Sequence, residues 1–276
     1  MKISFIGGGN MATALISGIA KSNAAPEWIH ISEPNPEARQ RLETEFPVKC
    51  FADTANATSG ADIIVLAVKP QVMHLVLAEL AGLINSSQLV ISIAAGVTIE
   101  TIRNSLGSDV AVVRTMPNTP ALIGEGISGL FAGPGCSAAQ CDSAEKIVSA
   151  TGASVWVDNE ALINVVTAVS GSGPAYFFLL TEALREAGQA LGLPEAAASK
   201  LAIHTAYGAG AMARRSDVDV AELRRRVTSP GGTTQAALDS FESDQFRQVV
   251  MRAVNAARIR GEELSAANDN TVENTQ

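Results

Sequence analysis

A short apolar run followed at once by three glycines opens this chain and limits what its first half can fold into. Residues 3–6 are the apolar run, Gly7-Gly8-Gly9 form the turn, and residues 10–22 have the period of a helix. Gly7, Gly9 and Ala12 fit the spacing G-x-G-x-x-A, in which the second glycine lets a pyrophosphate approach the backbone. The helix N-terminus presents N–H groups and a positive dipole end to the phosphates. The pattern therefore predicts a strand–turn–helix that binds a dinucleotide.

Short apolar runs go on alternating with helical patterns through the first half of the chain. Such alternation predicts a mostly parallel sheet with right-handed crossovers, an α/β Rossmann domain over residues 1–159. The further predicted strands are 29–32, 63–68, 89–94, 110–114, 127–131 and 153–157, and the further predicted helices are 36–46 and 137–150. The run at 63–68 is continuously apolar, as in a strand covered on both faces.

The second half has helical periods and no strand pattern. Helices are predicted over 174–191, 195–213, 218–227, 234–242 and 245–264. The first of them is apolar nearly all round in its first half, which is typical of a helix buried on every side. We therefore predict an all-α domain over residues 160–266, followed by a polar, disordered tail over 267–276.

Composition and charge exclude several classes of protein. The net charge is −8, so no basic face is expected for nucleic acid, and the run 224–226 is interpreted as a solvated helix face. Cys136 and Cys141 have no histidine or second cysteine pair near them in sequence, so no metal site is predicted. Three sparse cysteines suit a reducing compartment, and no apolar run reaches the roughly 18 residues of a membrane span. The expectation is a cytoplasmic protein that binds neither nucleic acid nor membrane.

Residues at the ends of the predicted strands are candidates for the rest of a cofactor site, because ligands of open α/β sheets bind beyond the carboxyl ends of the strands. Ala67, Val68, Lys69 and Pro70 end one strand, and Ala94, Ala95 and Gly96 end the next. Glu33 lies 24 residues after Gly9, near the position of an acid that hydrogen-bonds the ribose. The alternative for Glu33, a surface acid in the turn before Pro34, stays open.

Three further segments carry too much glycine, proline, serine and threonine for a core. They are 114–120 (RTMPNTP), 170–176 (SGSGPAY) and 228–234 (TSPGGTT). The last precedes a predicted helix, so its glycines can form a nest of N–H groups for a carboxylate. Thr233 or Thr234 can cap that helix. For any one segment alone, an ordinary loop is the simpler interpretation.

Taken in order, these motifs resemble one known family, the Δ1-pyrroline-5-carboxylate reductases. The resemblance runs from Ile3 to about Leu264, and its most specific parts are VRTMPNTPA (113–121), VSGSGPAY (169–176) and LRRRVTSPGGTTQAAL (223–238). AVKP (67–70) and SIAAG (92–96) match as well. Arg226 departs from the pattern, since some members have a neutral residue there beside the proline pocket.

The resemblance implies a fold, an activity and an assembly. The Rossmann domain is followed by a helical dimerisation domain, and two subunits interlock into a homodimer that can assemble further into a ring. The implied reaction is the reduction of the cyclic imine to L-proline, the last step of proline biosynthesis. NADPH is the implied cofactor, and NADH is also expected to be accepted.

Pattern and resemblance together define the candidate site residues. The cofactor-binding candidates are Ile6, Gly7, Gly8, Gly9, Asn10, Met11, Ala12, Glu33, Ala67, Val68, Lys69, Pro70, Ala94, Ala95, Gly96, Met116, Pro117 and Asn118. The substrate-binding candidates are Ser172, Gly231, Gly232, Thr233 and Thr234. By resemblance, Thr234 is the catalytic candidate, with its hydroxyl near the ring nitrogen.

Two other functions remain as alternatives. A reductase of the related β-hydroxyacid or secondary-amine type needs a catalytic lysine in its helical domain, and Lys200, the last lysine of the chain, lies in no such motif. A cofactor-sensing or proline-binding dimer would keep the glycine turn without needing the three loop segments.

Overall fold

A single eight-stranded sheet organises the first half of the protein. The computed structural model describes residues 1–22 and 26–273, without the side chains of 269–273. The strands are β1 (Lys2–Ile6), β2 (Trp28–Ser32), β3 (Lys49–Phe51), β4 (Ile63–Leu66), β5 (Leu89–Ser92), β6 (Ala111–Met116), β7 (Gly126–Ala132) and β8 (Gly152–Trp156). Their order is β3-β2-β1-β4-β5-β6-β7-β8, and the β6–β7 pair alone is antiparallel.

Helices cover both faces of this sheet. They are α1 (Asn10–Lys21), α2 (Pro36–Glu45), α3 (Thr54–Thr58), α4 (Met73–Leu80), α5 (Ile99–Leu106) and α6 (Ala138–Ser149). Alternate residues of a strand point to opposite faces, so Phe5 joins the core cluster of α1 and α6 while Ile6 joins that of α4 and α5. The chain moves from β1 outward in both directions, which opens a crevice at the carboxyl ends of β1 and β4.

The predicted Rossmann class, with a mostly parallel sheet and a helical second half, is confirmed. Periodicity left β3, α3, α4 and α5 without assigned bounds. Each is short, between three and eight residues, and a window of that length carries little periodic signal.

In the rest of the described chain the regular elements are all helices. They are α7 (Leu162–Val166), α8 (Gly173–Ala190), α9 (Glu195–Arg215), α10 (Val220–Arg226), α11 (Thr233–Ser243) and α12 (Phe246–Glu273), with a π-helical turn at Thr167–Gly171. The chain divides into two compact units. Unit 1 comprises Met1–Ser172 and Ala257–Gln276, and unit 2 comprises Gly173–Ala256. The domain limits proposed from the sequence stay a prediction.

The start of α8 is exposed in the single chain, whereas its apolar pattern predicted burial on every side. Phe177, Phe178 and Leu179 are each about two-thirds exposed. Leu162–Ala190 is long and apolar enough to cross a membrane by length and composition, yet a single such helix is weak evidence for a span. The correction has a physical reason, since an apolar helix surface of this size needs cover that one chain does not supply.

The predicted disordered tail is corrected for most of its length. Helix α12 continues to Glu273, and residues 274–276 lie outside the described part of the chain. The Asn268 amide donates to the Gly96 carbonyl at 2.7 Å, which anchors the end of the helix within unit 1. Such a contact between residues 172 apart leaves no local sequence pattern.

Candidate functional site

The glycine turn after β1 requires glycine at its first position. Gly7 has φ +100°, and a Cβ added there would stand 2.7 Å from the Ala67 carbonyl oxygen. Its N–H donates to the Ser32 carbonyl at 2.8 Å. The turn is therefore pressed between the ends of β2 and β4, which holds it at the crevice of the sheet.

The second glycine of the motif faces open space. Gly9 is the N-cap of α1, and a Cβ added to it would meet no described atom within 4 Å. No side chain of the described residues caps α1, so its first N–H groups stay available to a ligand. Ala12, 1% exposed, packs the helix against the sheet. Uncapped donors beside an open glycine fit the pyrophosphate of a dinucleotide.

The other residues of this turn divide by exposure. Ile6 is buried in the sheet and Gly8 within the turn, whereas Asn10 is exposed and Met11 half-buried on the first turn of α1. Asn10 and Met11 can therefore contact a ligand with their side chains, and Ile6 and Gly8 contribute backbone.

The end of β4 lies against the same turn. The Ala67 N–H donates to the Ile6 carbonyl at 2.9 Å, and Val68 Cγ1 stands 3.0 Å from the Cβ position of Gly7. Lys69 is exposed, and Pro70 begins a 3₁₀ turn at Pro70–Val72. Ala67 and Val68 thus border the glycine turn, and Lys69 and Pro70 follow them in the chain; their contact with a cofactor stays a prediction.

The loop after β5 is tightly packed. Ala94 is buried, Ala95 is half-buried, and Gly96 has φ +70°. A Cβ at Gly96 would lie 3.2 Å from both Leu264 Cβ and Asn268 Nδ2. The end of α12 therefore supports this loop from behind, a contact that sequence reasoning missed.

Asn118, predicted to border the nicotinamide, is almost fully buried and uses both ends of its amide inside unit 1. Its Oδ1 accepts from the Ile127 N–H at 3.0 Å, and its Nδ2 donates to the Ser170 carbonyl at 3.1 Å. Ser170 belongs to the π-helical turn, and Gly171 next to it leaves room for Met116, whose Cε lies 2.8 Å from the glycine's Cβ position. Asn118 therefore links the segment Met116-Pro117-Asn118 to the π-helical turn that precedes Ser172.

Replacing Asn118 with alanine is expected to lower the free energy of unfolding by about 2 kcal/mol, since two hydrogen bonds of about 1 kcal/mol each are lost. Denaturant unfolding monitored by circular dichroism measures the change. Asn104→Ala, an exposed position on α5, is the matched control and should stay within about 0.5 kcal/mol of wild type. Equal stability of the two variants would contradict the structural role of the Asn118 amide.

A second buried contact also went unpredicted. Arg114, 2% exposed, donates to Glu160 Oε1 at 3.0 Å, and the same oxygen accepts from the Ile99 N–H at 2.9 Å. Glu160 thus links Arg114, near the end of β6, to the start of α5. Arg114 lies two residues before the segment Met116-Pro117-Asn118.

Glu33 reaches back into the glycine turn. Its Oε2 accepts from the Gly8 N–H and its Oε1 from the Asn35 N–H, each at 3.0 Å. Arg39 donates to the carbonyl oxygens of Glu33 and Pro34, both at 2.8 Å. The carboxylate is therefore oriented towards the turn, at the edge of the cleft rather than out in solvent.

The glycine-rich loop before α11 belongs to unit 2. Gly231 has φ +69°, and Gly232 is the N-cap of α11, with no side-chain cap among the described residues. The prediction that Thr233 or Thr234 caps this helix is wrong, because both threonines already lie in its first turn. The N–H groups at the start of α11 are left for another acceptor. Thr234 is half-buried and Thr233 exposed.

Other residues considered from the sequence have structural surroundings. Glu222 accepts hydrogen bonds from Arg225 and Arg226, which lower the pKa of its carboxyl to about 2. Arg226 is thus held by an acid of its own helix. Lys200 is exposed on α9, away from the three loop motifs in sequence. Burial raises the pKa of the Cys136 and Cys141 thiols, which favours their protonated form at neutral pH.

The fold and the cleft define a class, the Rossmann oxidoreductases that bind a nicotinamide dinucleotide. Residues 2–96 match the family model described as NADP oxidoreductase, coenzyme F420-dependent, and residues 160–264 match pyrroline-5-carboxylate reductase dimerisation.

Known proteins narrow this class to one family. The chain is 48% identical to a pyrroline-5-carboxylate reductase of Pseudomonas aeruginosa over 96% of this chain and 97% of the relative. A solved reductase of Coxiella burnetii superposes with a TM-score of 0.92 at 39% identity, covering 96% of this chain and 98% of that one. One of Plasmodium falciparum, solved with NADP bound, gives 0.82 at 31% identity, covering 96% and 98%. This chain belongs to the pyrroline-5-carboxylate reductase family.

Proposed function

We propose that this protein reduces Δ1-pyrroline-5-carboxylate to L-proline with NADPH, the last step of proline biosynthesis. The observation that carries the proposal is the similarity to the Pseudomonas aeruginosa reductase over nearly the full length of both chains. The open Gly9 and the uncapped start of α1 support the cofactor, since they suit a dinucleotide pyrophosphate.

The chemistry needs positioning more than a strong acid or base. When bound, the reduced nicotinamide would supply the hydride to the imine carbon, and the ring nitrogen, which takes its proton from water, would react as the cationic iminium. Met116, Pro117 and Asn118 are the proposed wall beside that ring, and the Asn118 amide supports their arrangement through its two hydrogen bonds. Ser172 follows the π turn and is proposed to lie beside the substrate.

The loop before α11 is proposed to hold the substrate. The substrate carboxylate would accept from the uncapped N–H groups at the start of α11, just after Gly231 and Gly232, where the helix dipole also favours an anion. Thr234 is proposed to direct its hydroxyl at the ring nitrogen. The half-buried position of Thr234 in the first turn of α11 supports this role.

The protein is proposed to work as a homodimer that can assemble into a ring. The dimerisation model over residues 160–264 supports self-association, and the exposed apolar start of α8 supplies a surface that gains from cover. The sparse cysteines support a cytoplasmic location.

The activity is tested directly with purified protein. Supplied with Δ1-pyrroline-5-carboxylate, it is expected to oxidise NADPH and, less efficiently, NADH, followed by the loss of reduced-cofactor absorbance. Product analysis should find proline in equal amount to the cofactor consumed. Reactions without the imine, or with a β-hydroxyacid and oxidised cofactor, serve as controls. A folded protein that turns over neither cofactor with the imine would disprove the proposed function.

A further inference from the structure

Glu33 occupies backbone donors from two different turns. The Gly8 N–H belongs to the glycine turn after β1, the Asn35 N–H to the turn after β2, and each lies 3.0 Å from a different oxygen of the same carboxylate. Packing limits the space around this arrangement, because a Cβ at Gly8 would stand 2.6 Å from Leu42 Cδ1 and 3.3 Å from Glu33 Oε2. The carboxylate is therefore seated between the two turns.

Positive charge stands nearby without forming an ion pair with this carboxylate. The Arg39 guanidinium is held by the backbone, since its Nη1 donates to the Glu33 and Pro34 carbonyl oxygens at 2.8 Å. No Glu33 salt bridge is present among the described residues. The negative charge of Glu33 is thus balanced by backbone dipoles, while the Arg39 charge faces the same turn.

The position matters because the end of the second strand is where Rossmann proteins distinguish the two nicotinamide cofactors. An acid there accepts from the ribose hydroxyls of NADH, whereas the extra 2′-phosphate of NADPH brings a second anion to the same place. Two anions at short range repel each other, and the repulsion is only partly screened by salt.

We propose that Glu33 sets the cofactor preference by occupying, in the free protein, the two backbone donors that a 2′-phosphate would use. NADPH binding then requires the carboxylate to leave Gly8 and Asn35, after which those N–H groups and Arg39 face the phosphate. NADH binding leaves the carboxylate in place. The inference rests on the proposed function only for the identity of the cofactor. Because NADPH must displace the carboxylate and NADH need not, Glu33 lowers the preference for NADPH over NADH.

Adenosine fragments of the cofactor test this step without any turnover. The full-length protein is titrated by calorimetry with 2′,5′-ADP, which carries the 2′-phosphate, and with 5′-AMP, which lacks it. In Glu33→Gln, which keeps the size of the side chain and removes its charge, the affinity for 2′,5′-ADP is expected to rise about tenfold. The affinity for 5′-AMP is expected to stay the same or to fall by a few-fold, because the amide of Gln keeps only one acceptor oxygen for the ribose hydroxyls.

A matched control removes the same charge close by. Glu37→Gln changes an exposed acid in the first turn of α2 and should alter neither affinity by more than about twofold at physiological salt. Should Glu33→Gln fold poorly, Glu33→Ser is titrated in the same way, and thermal unfolding verifies each variant.

The outcomes decide between displacement and simple bracing. A selective gain for 2′,5′-ADP supports the proposal. An unchanged ratio of the two affinities, or an equal loss of both, overturns it, because Glu33 then only braces the turn. The titrations contain no imine, so they are independent of the activity assay. If the protein lacked reductase activity but showed the selective gain, the proposed reaction would be refuted and the cofactor inference would stand.

Discussion

Replacing Gly9 with alanine is expected to weaken NADPH binding about tenfold to 100-fold without destabilising the free protein. The backbone of Gly9, with φ −72° and ψ −177°, suits alanine, and the added Cβ meets no described atom within 4 Å. The methyl group would instead stand where the pyrophosphate approaches the start of α1. A forced contact of this kind costs roughly 1–3 kcal/mol. Calorimetric titration with NADPH measures the loss.

Gly7→Ala supplies the contrast. Its Cβ would stand 2.7 Å from the Ala67 carbonyl oxygen, and its φ of +100° is strained for alanine. This variant is therefore expected to lose thermal stability as well as cofactor affinity, whereas Gly9→Ala keeps the melting temperature of the wild type. If Gly9→Ala bound NADPH normally, the pyrophosphate would not approach this glycine and the geometry proposed for the turn would fail.

The sequence predicted those parts of the fold whose signal is local. The apolar run before Gly7 and the continuous run of β4 identify buried strands, and the glycine spacing identifies the turn between β1 and α1. β3 is too short to show its period, with three residues of which one is exposed. The extension of α12 beyond Leu264 was missed because its polar residues resemble a frayed tail, while the contact of Asn268 with Gly96 forms only in three dimensions.

The candidate site shows the same division between local and long-range information. The loop motifs were found as segments, but what their side chains contact was not. Asn118 is a partner of Ile127 and Ser170, and Glu33 is a partner of Gly8, and no spacing rule reports such pairs. At α11 the preference for threonine as an N-cap gave a wrong prediction. Gly232, in an extended conformation, is the N-cap instead, so the helix begins at Thr233, one residue before the predicted start.

Thr234→Ala is expected to lower kcat/KM for the imine about tenfold to 100-fold. The change removes one hydroxyl from the proposed contact with the ring nitrogen, and a hydrogen bond to a charged group is worth roughly 1.5–3 kcal/mol. The hydroxyl forms no hydrogen bond within the described part of the chain, so its removal leaves no protein group unsatisfied and stability should hardly change. Steady-state kinetics with varied imine at saturating NADPH measures the effect.

Two variants separate the loss of the contact from a disturbance of the loop. Thr234→Ser keeps the hydroxyl and should retain most of the activity. Thr228→Ala removes a hydroxyl from the same motif, one that donates to the Arg224 carbonyl at 2.7 Å, and should leave kcat/KM within about twofold of wild type. The affinity for 2′,5′-ADP, whose proposed contacts all lie in unit 1, should be equal in all three variants. Wild-type kinetics in Thr234→Ala would remove this hydroxyl from the mechanism.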